Sequence, residues 1–309
     1  MSENTTVPLK ANETIGHENK RSVKTVLLDL IYLLKGLVLV ANVFPVLAGF
    51  WLALAFTGTT LSEQWGLFLY TMIGSTLVIA GALALNNWYE VDLDQAMERT
   101  QKRPTVTGSF SLNAVLALGI GFTAVGFMLL LQTTTEAVIY GFIGWFTYVV
   151  LYTFWSKRKY TLNTMIGAIS GAVTPLIGWT AIAPGFHIVP ITVALIVLIW
   201  QMPHTFSIAM RRYDDYKRAG VAMLPVLYGF EVTKRQILVY VTCLLPLPFF
   251  LWSLGTTFVV IATLLNVAWI AIAIKGLYTK NDVKWANLIF IYSVNYLMIL
   301  FSLMIIVTW

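Results

Sequence analysis

The feature that most constrains this chain is a succession of apolar blocks, each about 20 residues long, separated by short polar breaks. That is the length a helix needs to cross a hydrocarbon core about 30 Å thick. Within the blocks the apolar residues run on without alternating every second position, which excludes a transmembrane β-barrel. Charged residues make up 11% of the sequence, against about 25% in soluble domains, too few to coat a water-facing surface. The spacing predicts nine transmembrane helices, over 36–56, 66–88, 112–131, 136–155, 163–183, 188–210, 236–254, 257–275 and 286–308. The expected fold is an all-α polytopic membrane protein: a nine-helix domain over 31–309 preceded by a disordered cytoplasmic tail over 1–30. That tail has no apolar core or small-residue cleavage site and does not read as a signal peptide.

The polar breaks divide into two kinds. Those at 57–64, 132–136, 183–189 and 253–257 hold no Lys or Arg. The others hold Arg99, Lys102 and Arg103; Lys157, Arg158 and Lys159; Arg211, Arg212, Lys217, Arg218, Lys234 and Arg235; and Lys275, Lys280 and Lys284. With Lys10, Lys20, Arg21, Lys24 and Lys35 these account for all 20 basic residues. Loops that retain Lys and Arg are cytoplasmic, so the pattern predicts an amino terminus inside and a carboxyl terminus outside. The net charge of +6 is explained by this topology and does not call for a nucleic-acid partner. Cys243, the sole cysteine, falls inside an apolar block and has no partner for an intrachain disulfide or a CxxC site.

All the acids except Glu63 and Glu136 also fall on the inner side, and two groups of them are dense. The first is Asn86-Asn87-Trp88-Tyr89-Glu90-Val91-Asp92-Leu93-Asp94, at the end of the second predicted helix. On a continuous helix Asn86, Glu90 and Asp94 share one face, with Asn87 beside Glu90. Hard oxygen donors in a stripe suit Mg²⁺ held together with substrate phosphates. The second group, Tyr213-Asp214-Asp215-Tyr216-Lys217-Arg218, ends the sixth predicted helix and adds two carboxylates and cations able to balance a diphosphate. Ionisable groups at membrane depth are costly and usually functional. His204 lies on the sixth helix, on the face that carries Ile208, Arg211 and, if the helix continues, Asp215. His187 falls in an outer loop and His17 in the tail.

At these residues the chain resembles the UbiA superfamily of membrane prenyltransferases. The first group looks like its asparagine-aspartate-rich motif, with Asn86, Asn87, Glu90 and Asp94 at the matching positions, and the second like its Asp-rich motif, carried by Asp214 and Asp215. Asn86 to Pro104, Trp155 to Arg158, Gly171 to Trp179, Trp200-Gln-Met-Pro-His204 and Met223-Leu-Pro-Val226 resemble the branch of that superfamily that farnesylates protohaem. Glu90 stands where the motif normally has Asp, and Lys35-Gly36 where many relatives have Lys-Pro.

The resemblance implies a nine-helix bundle in a bacterial cytoplasmic membrane that moves a farnesyl group from farnesyl diphosphate to a vinyl group of haem B, with a downstream haem A synthase as partner. It implies Mg²⁺ held by Asn86, Asn87, Glu90, Asp94, Asp214 and Asp215, the last five of these catalytic, at the cytoplasmic face. Arg99, Arg103, Lys157, Arg158, Arg211, Lys217, Tyr216 and His204 are the candidate substrate contacts. Trp88, Tyr89, Tyr213 and Tyr216 are candidate aromatic faces for an allylic cation. Two other readings fit the acids: a prenyltransferase acting on an aromatic acid or quinone precursor, and a secondary transporter. Nine spans, however, do not divide into the equal inverted halves typical of transporters.

Overall fold

A computed structural model describes residues 22–309; the expected tail up to residue 21, His17 included, lies outside the described residues. The chain is helical from Val23, so the tail boundary expected at residue 30 moves back. This first helix, α1 (Val23–Leu33), is fixed because Leu30 and Leu33 pack against Ala84, Val115 and Trp88. It is followed by α2 (Gly36–Thr57), α3 (Trp65–Tyr89), α4 (Val91–Ala96), α5 (Pro104–Thr107) and α6 (Leu112–Leu130). Next come α7 (Thr135–Phe146), which widens into a π-helical stretch Thr147–Ser156, and α8 (Asn163–Ala172), α9 (Thr174–Thr180), α10 (Ile188–Arg211) and α11 (Tyr213–Arg218). The chain ends with α12 (Leu224–Cys243), a 3₁₀ stretch Leu247–Leu254, α13 (Thr256–Gly276) and α14 (Asp282–Val307). No strand occurs among the described residues.

Eight helices among the described residues are long and apolar enough to cross a membrane. The fifth expected span, 163–183, is a broken pair, α8 and α9. Pro175 has no N–H to give the Gly171 carbonyl and so interrupts the ladder. The Thr174 hydroxyl takes over that carbonyl at 2.6 Å. α8 packs on the π-helical stretch and α9 on α2 and α7, and both pack on α10, so the two halves follow one another through the bundle. The seventh expected span begins earlier than 236, at Leu224, and turns at Gly229, whose φ of 79° is left-handed.

Without a hydrophobic force between helices in lipid, close backbone approach does the packing. A Cβ on Gly49 or Gly178 would overlap the backbone of Pro175 or Val46 across the α2–α9 contact. Gly74, Gly81, Gly119 and Gly126 play the same part between α3 and α6. The ends that carry Lys and Arg are gathered at one end of the bundle. Lys35 meets Asn86, Lys157 meets Glu90, Arg218 meets Glu98 and Lys234 meets Asp282.

Candidate active site

The first acidic motif spans a bend, not one straight helix. α3 ends at Tyr89, Glu90 adopts φ −99° and ψ 19°, and α4 restarts at Val91. Backbone bonds from Glu90 to Asn86 and from Asp94 to Glu90 nevertheless keep the four-residue register. Asn86, Asn87, Glu90 and Asp94 are all buried, none more than 3% exposed. The intervening Asp92 turns outward.

Each buried motif side chain has a polar partner brought from elsewhere in the chain. The Lys35 ammonium donates to Asn86 Oδ1 at 2.5 Å, and Asn86 Nδ2 donates to Thr153 Oγ1 at 3.0 Å. Asn87 Nδ2 donates to the Leu33 carbonyl. Arg103 bridges Asn87 Oδ1, at 3.0 Å, and Asp94 Oδ2, at 2.5 Å. Lys157 lies 2.5 Å from Glu90 Oε2, while Glu90 Oε1 is buried with no hydrogen-bond partner. Arg158 grips Asp92 with two bonds of 2.7 and 2.8 Å, which hold that carboxyl below its usual range.

Two cations carry perturbed charge. Burial opposes the charge on Lys157, but the Glu90 carboxylate outweighs it and holds the ammonium above the ordinary lysine range. Burial, and then the nearby Arg103 guanidinium, push Lys35 well below that range. Lys35 is also the one non-glycine residue among those described with positive φ, at 49°. Such strain persists where the surroundings over-determine it, and here the α1–α2 corner delivers an amine to the motif amide.

The second motif is split. α10 stops at Arg211, so Asp215 stands on the separate short helix α11 and the expected continuous face from His204 to Asp215 is broken at Arg212. Asp215 is buried, and Arg218 holds it at 2.6 Å while reaching Glu98 at 3.7 Å. Asp214 is exposed. Leu93 and Met97, in and just after the first motif, pack on Ala209, Tyr216 and Val221, in and around the second, so the two segments adjoin. Among the described residues no three His, Cys, Asp or Glu side chains stand in a ready metal cage. The oxygens suited to a hard cation are those of the Asn86–Asp94 stripe and of Asp215 on the adjoining segment, and among them Glu90 Oε1 is both fully buried and free of a hydrogen bond.

A cavity of about 240 Å³ opens beneath this stripe, among α2, α3, the π-helical stretch, α8 and α10. Its aromatic lining is Trp145, Tyr148 and Tyr152, with Ser75, Thr164, Gln201 and Thr205 as polar points. The π-helical turn aims it: Lys157 N–H bonds the Tyr152 carbonyl five residues back, and the Lys157 ammonium lies 5.4 Å from the Tyr152 ring centre. The cavity's inner end therefore meets Glu90 through Lys157.

The aromatic faces expected at this cavity lie elsewhere. Trp88 packs under α1, Tyr89 stacks on Phe154 at 4.6 Å, Tyr213 meets Phe230 at 5.3 Å, and Tyr216 joins the inter-loop core. Arg99 and Lys217 are exposed, and Lys217, on α11, lies 5.5 Å from the Tyr213 ring centre. Lys35 marks only a helix entrance in the sequence, and no motif marks Tyr148 and Tyr152. A Tyr pair four residues apart and leading straight to a lysine was the available signal for the last two. His187 stacks on Trp179 at 5.1 Å, away from the acids. His204 faces α14 and is absent from the cavity lining.

Residues 42–294 match the UbiA prenyltransferase family. The chain is 55% identical over 305 residues to a protoheme IX farnesyltransferase of Oceanobacillus iheyensis, covering 97% of both chains. It is 53% identical over 293 residues to one of Geobacillus kaustophilus, covering 95% of both. In fold it is similar to digeranylgeranylglyceryl phosphate synthase, with a TM-score of 0.71 at 17% identity over 91% of this chain and 98% of that one. It is also similar to a UbiA homolog from Archaeoglobus fulgidus bound to GPP and Mg²⁺, with a TM-score of 0.65 at 14% identity over 89% and 99%.

Proposed function

From the premise that this chain belongs to the UbiA prenyltransferase family, we propose that it transfers a farnesyl group from farnesyl diphosphate to a vinyl group of protohaem, giving haem O. One observation carries the reading: a buried stripe of oxygen donors, ringed by cations, lies one helical turn beyond Leu83, a wall residue of an apolar, aromatic-lined cavity. A diphosphate head needs the first and an isoprenoid chain the second. The relatives' shared name supplies the acceptor.

Mg²⁺ held by Asn86, Asn87, Glu90, Asp94 and Asp215 would neutralise the diphosphate and make it a better leaving group. Asp214, exposed on α11, would join this set only through solvent. Lys35, Arg103 and Lys157 line the same stripe and would bind the diphosphate oxygens, with Arg158 and Arg218 holding Asp92 and Asp215 in place. The C–O bond of farnesyl diphosphate breaks, its electron pair leaving with the diphosphate. The faces of Tyr148, Tyr152 and Trp145 attract the allylic cation, and the apolar walls exclude water from it. The vinyl π electrons then form the new C–C bond. Water adds at the remaining carbocation and loses a proton, leaving the hydroxyl of haem O.

The Lys- and Arg-bearing end of the bundle is cytoplasmic in this reading, so the site opens to the inner face and haem A synthase is the consumer of the product. The test is product mass: purified protein with Mg²⁺, farnesyl diphosphate and either haem B or 4-hydroxybenzoate. A haem product heavier by one farnesyl and one hydroxyl is expected. Prenylated hydroxybenzoate alone would replace this reading with the aromatic-acid one.

A further inference from the structure

On the side of α10 that faces α14, a ladder of side chains stands apart from the cavity. The His204 ring is sandwiched between Trp200, 4.7 Å away and tilted 18°, and Phe290, 5.2 Å away and tilted 30°. The guanidinium of Arg211 lies 4.3 Å from the centre of the Phe290 ring on the next turn. Arg211 has no acid partner among the described residues, whereas Arg103, Lys157, Arg158 and Arg218 all do. The Trp200 indole N–H donates to the Ser293 carbonyl at 2.7 Å, locking the ladder across the two helices.

The hydrogen bonds fix which nitrogen of His204 carries the proton. The Ser293 hydroxyl has one hydrogen and donates it to the Phe290 carbonyl at 2.6 Å. Toward His204 Nδ1, 2.8 Å away, Ser293 Oγ is therefore the acceptor and Nδ1–H the donor. In the neutral ring this leaves the lone pair on Nε2, and Nε2 makes no hydrogen bond among the described residues. A histidine whose other ring N–H is bound to an oxygen, and whose ring is held by stacking, is the usual arrangement of a metal-ligating imidazole.

We propose that this α10–α14 face holds the protohaem substrate, with His204 Nε2 as the axial ligand of its iron and Arg211 as the counter-ion of a propionate. The proposal rests on the reading that haem is the acceptor. Seven residues of helix separate His204 from Arg211, about 10 Å along the axis, which sets a central ligand apart from an edge anchor. Trp200 and Phe290, stacked on the imidazole, stand upright with it and turn apolar ring edges toward a macrocycle ligated at Nε2. Gln201 and Thr205, on neighbouring faces of the same turns, line the cavity, so this face places the rim of the haem beside the chamber assigned to the farnesyl chain.

The test is a haem titration of the full-length protein in lipid nanodiscs, read by Soret absorption and by electron paramagnetic resonance of the ferric form. Wild type is expected to give a histidine-ligated spectrum. His204→Ala, and His204→Asn, which retains a donor toward Ser293, are expected to lose that spectrum and bind haem at least about tenfold more weakly; added imidazole restores the ligand signature. Ser293→Ala weakens haem binding by a similar factor. Arg211→Gln weakens binding of haem but not of its dimethyl ester. Farnesyl diphosphate affinity stays at the wild-type level throughout, which certifies folding. An unchanged spectrum and affinity in both His204 variants would overturn this haem site while leaving haem farnesylation intact. Absence of haem binding by wild type would overturn both readings.

Discussion

Lys157 and Glu90, 67 residues apart in the chain, form a 2.5 Å ion pair beside Tyr152, a residue of the cavity wall. The pair joins the end of the π-helical stretch to the bend between α3 and α4, so it ties cavity wall to acidic motif. Removing one partner strands a charge in a site where the Glu90 side chain is 2% exposed, and breaking a buried pair costs about 3–5 kcal/mol. Lys157→Met is expected to lower the melting temperature in detergent and to abolish prenyl transfer. The double variant Glu90→Gln/Lys157→Met should recover most of the stability and none of the activity. Additive losses in that cycle would show that the two groups do not interact.

The pair between Arg158 and Asp92 provides the contrast. Both side chains are substantially exposed, at 37% and 60%, and exposed pairs contribute under about 1 kcal/mol. Asp92→Asn should therefore leave thermal stability nearly unchanged, with turnover falling by less than about tenfold. A collapse comparable to that of Lys157→Met would place Asp92 among the ligands.

Asp94→Asn and Asp215→Asn address the metal role. Each keeps side-chain volume and removes one anionic oxygen donor, so turnover should fall on the order of 100-fold or more with membrane insertion intact. Isothermal titration of Mg²⁺ with pyrophosphate should show weakened joint binding. Wild-type Mg²⁺ affinity and turnover in either variant would remove that carboxylate from the site.

Ala82 and Ala168 line the cavity, so Ala82→Phe or Ala168→Phe shortens it from opposite walls. Competition between farnesyl and geranyl diphosphate should then shift by about tenfold or more toward the shorter chain. An unaltered ratio in both variants would mean the isoprenoid lies elsewhere.

Gly178 sits against the backbone of Val46 with no room for a Cβ. Gly178→Val should destabilise the bundle by at least about 1–3 kcal/mol, seen as a lower melting temperature and faster proteolysis between α9 and α10. A stable Gly178→Val protein would mean that α2 and α9 do not touch as closely as this.

Much of the site was legible in the chain because its residues are polar in an apolar background. Asn86, Asn87, Glu90 and Asp94 stand out at four-residue spacing, and the structure buries all of them. Lys35 reads in the sequence only as a helix entrance, because nothing local reveals that a left-handed corner turns its amine onto Asn86. Tyr148 and Tyr152 were hidden for the opposite reason: in a uniformly apolar helix, composition does not say which face meets a cavity.

What the sequence determined by itself is the order of helices, their lengths and the gathering of basic and acidic residues at one end, since the cost of bare backbone and charge in hydrocarbon acts on each segment separately. What the tertiary structure decided is pairing: which cation meets which carboxylate, and which acid of Asp214 and Asp215 turns inward. Those outcomes depend on distances between segments far apart in the chain, where glycine contacts such as Gly49 on Pro175 set how near two helices come. No local pattern carries that information.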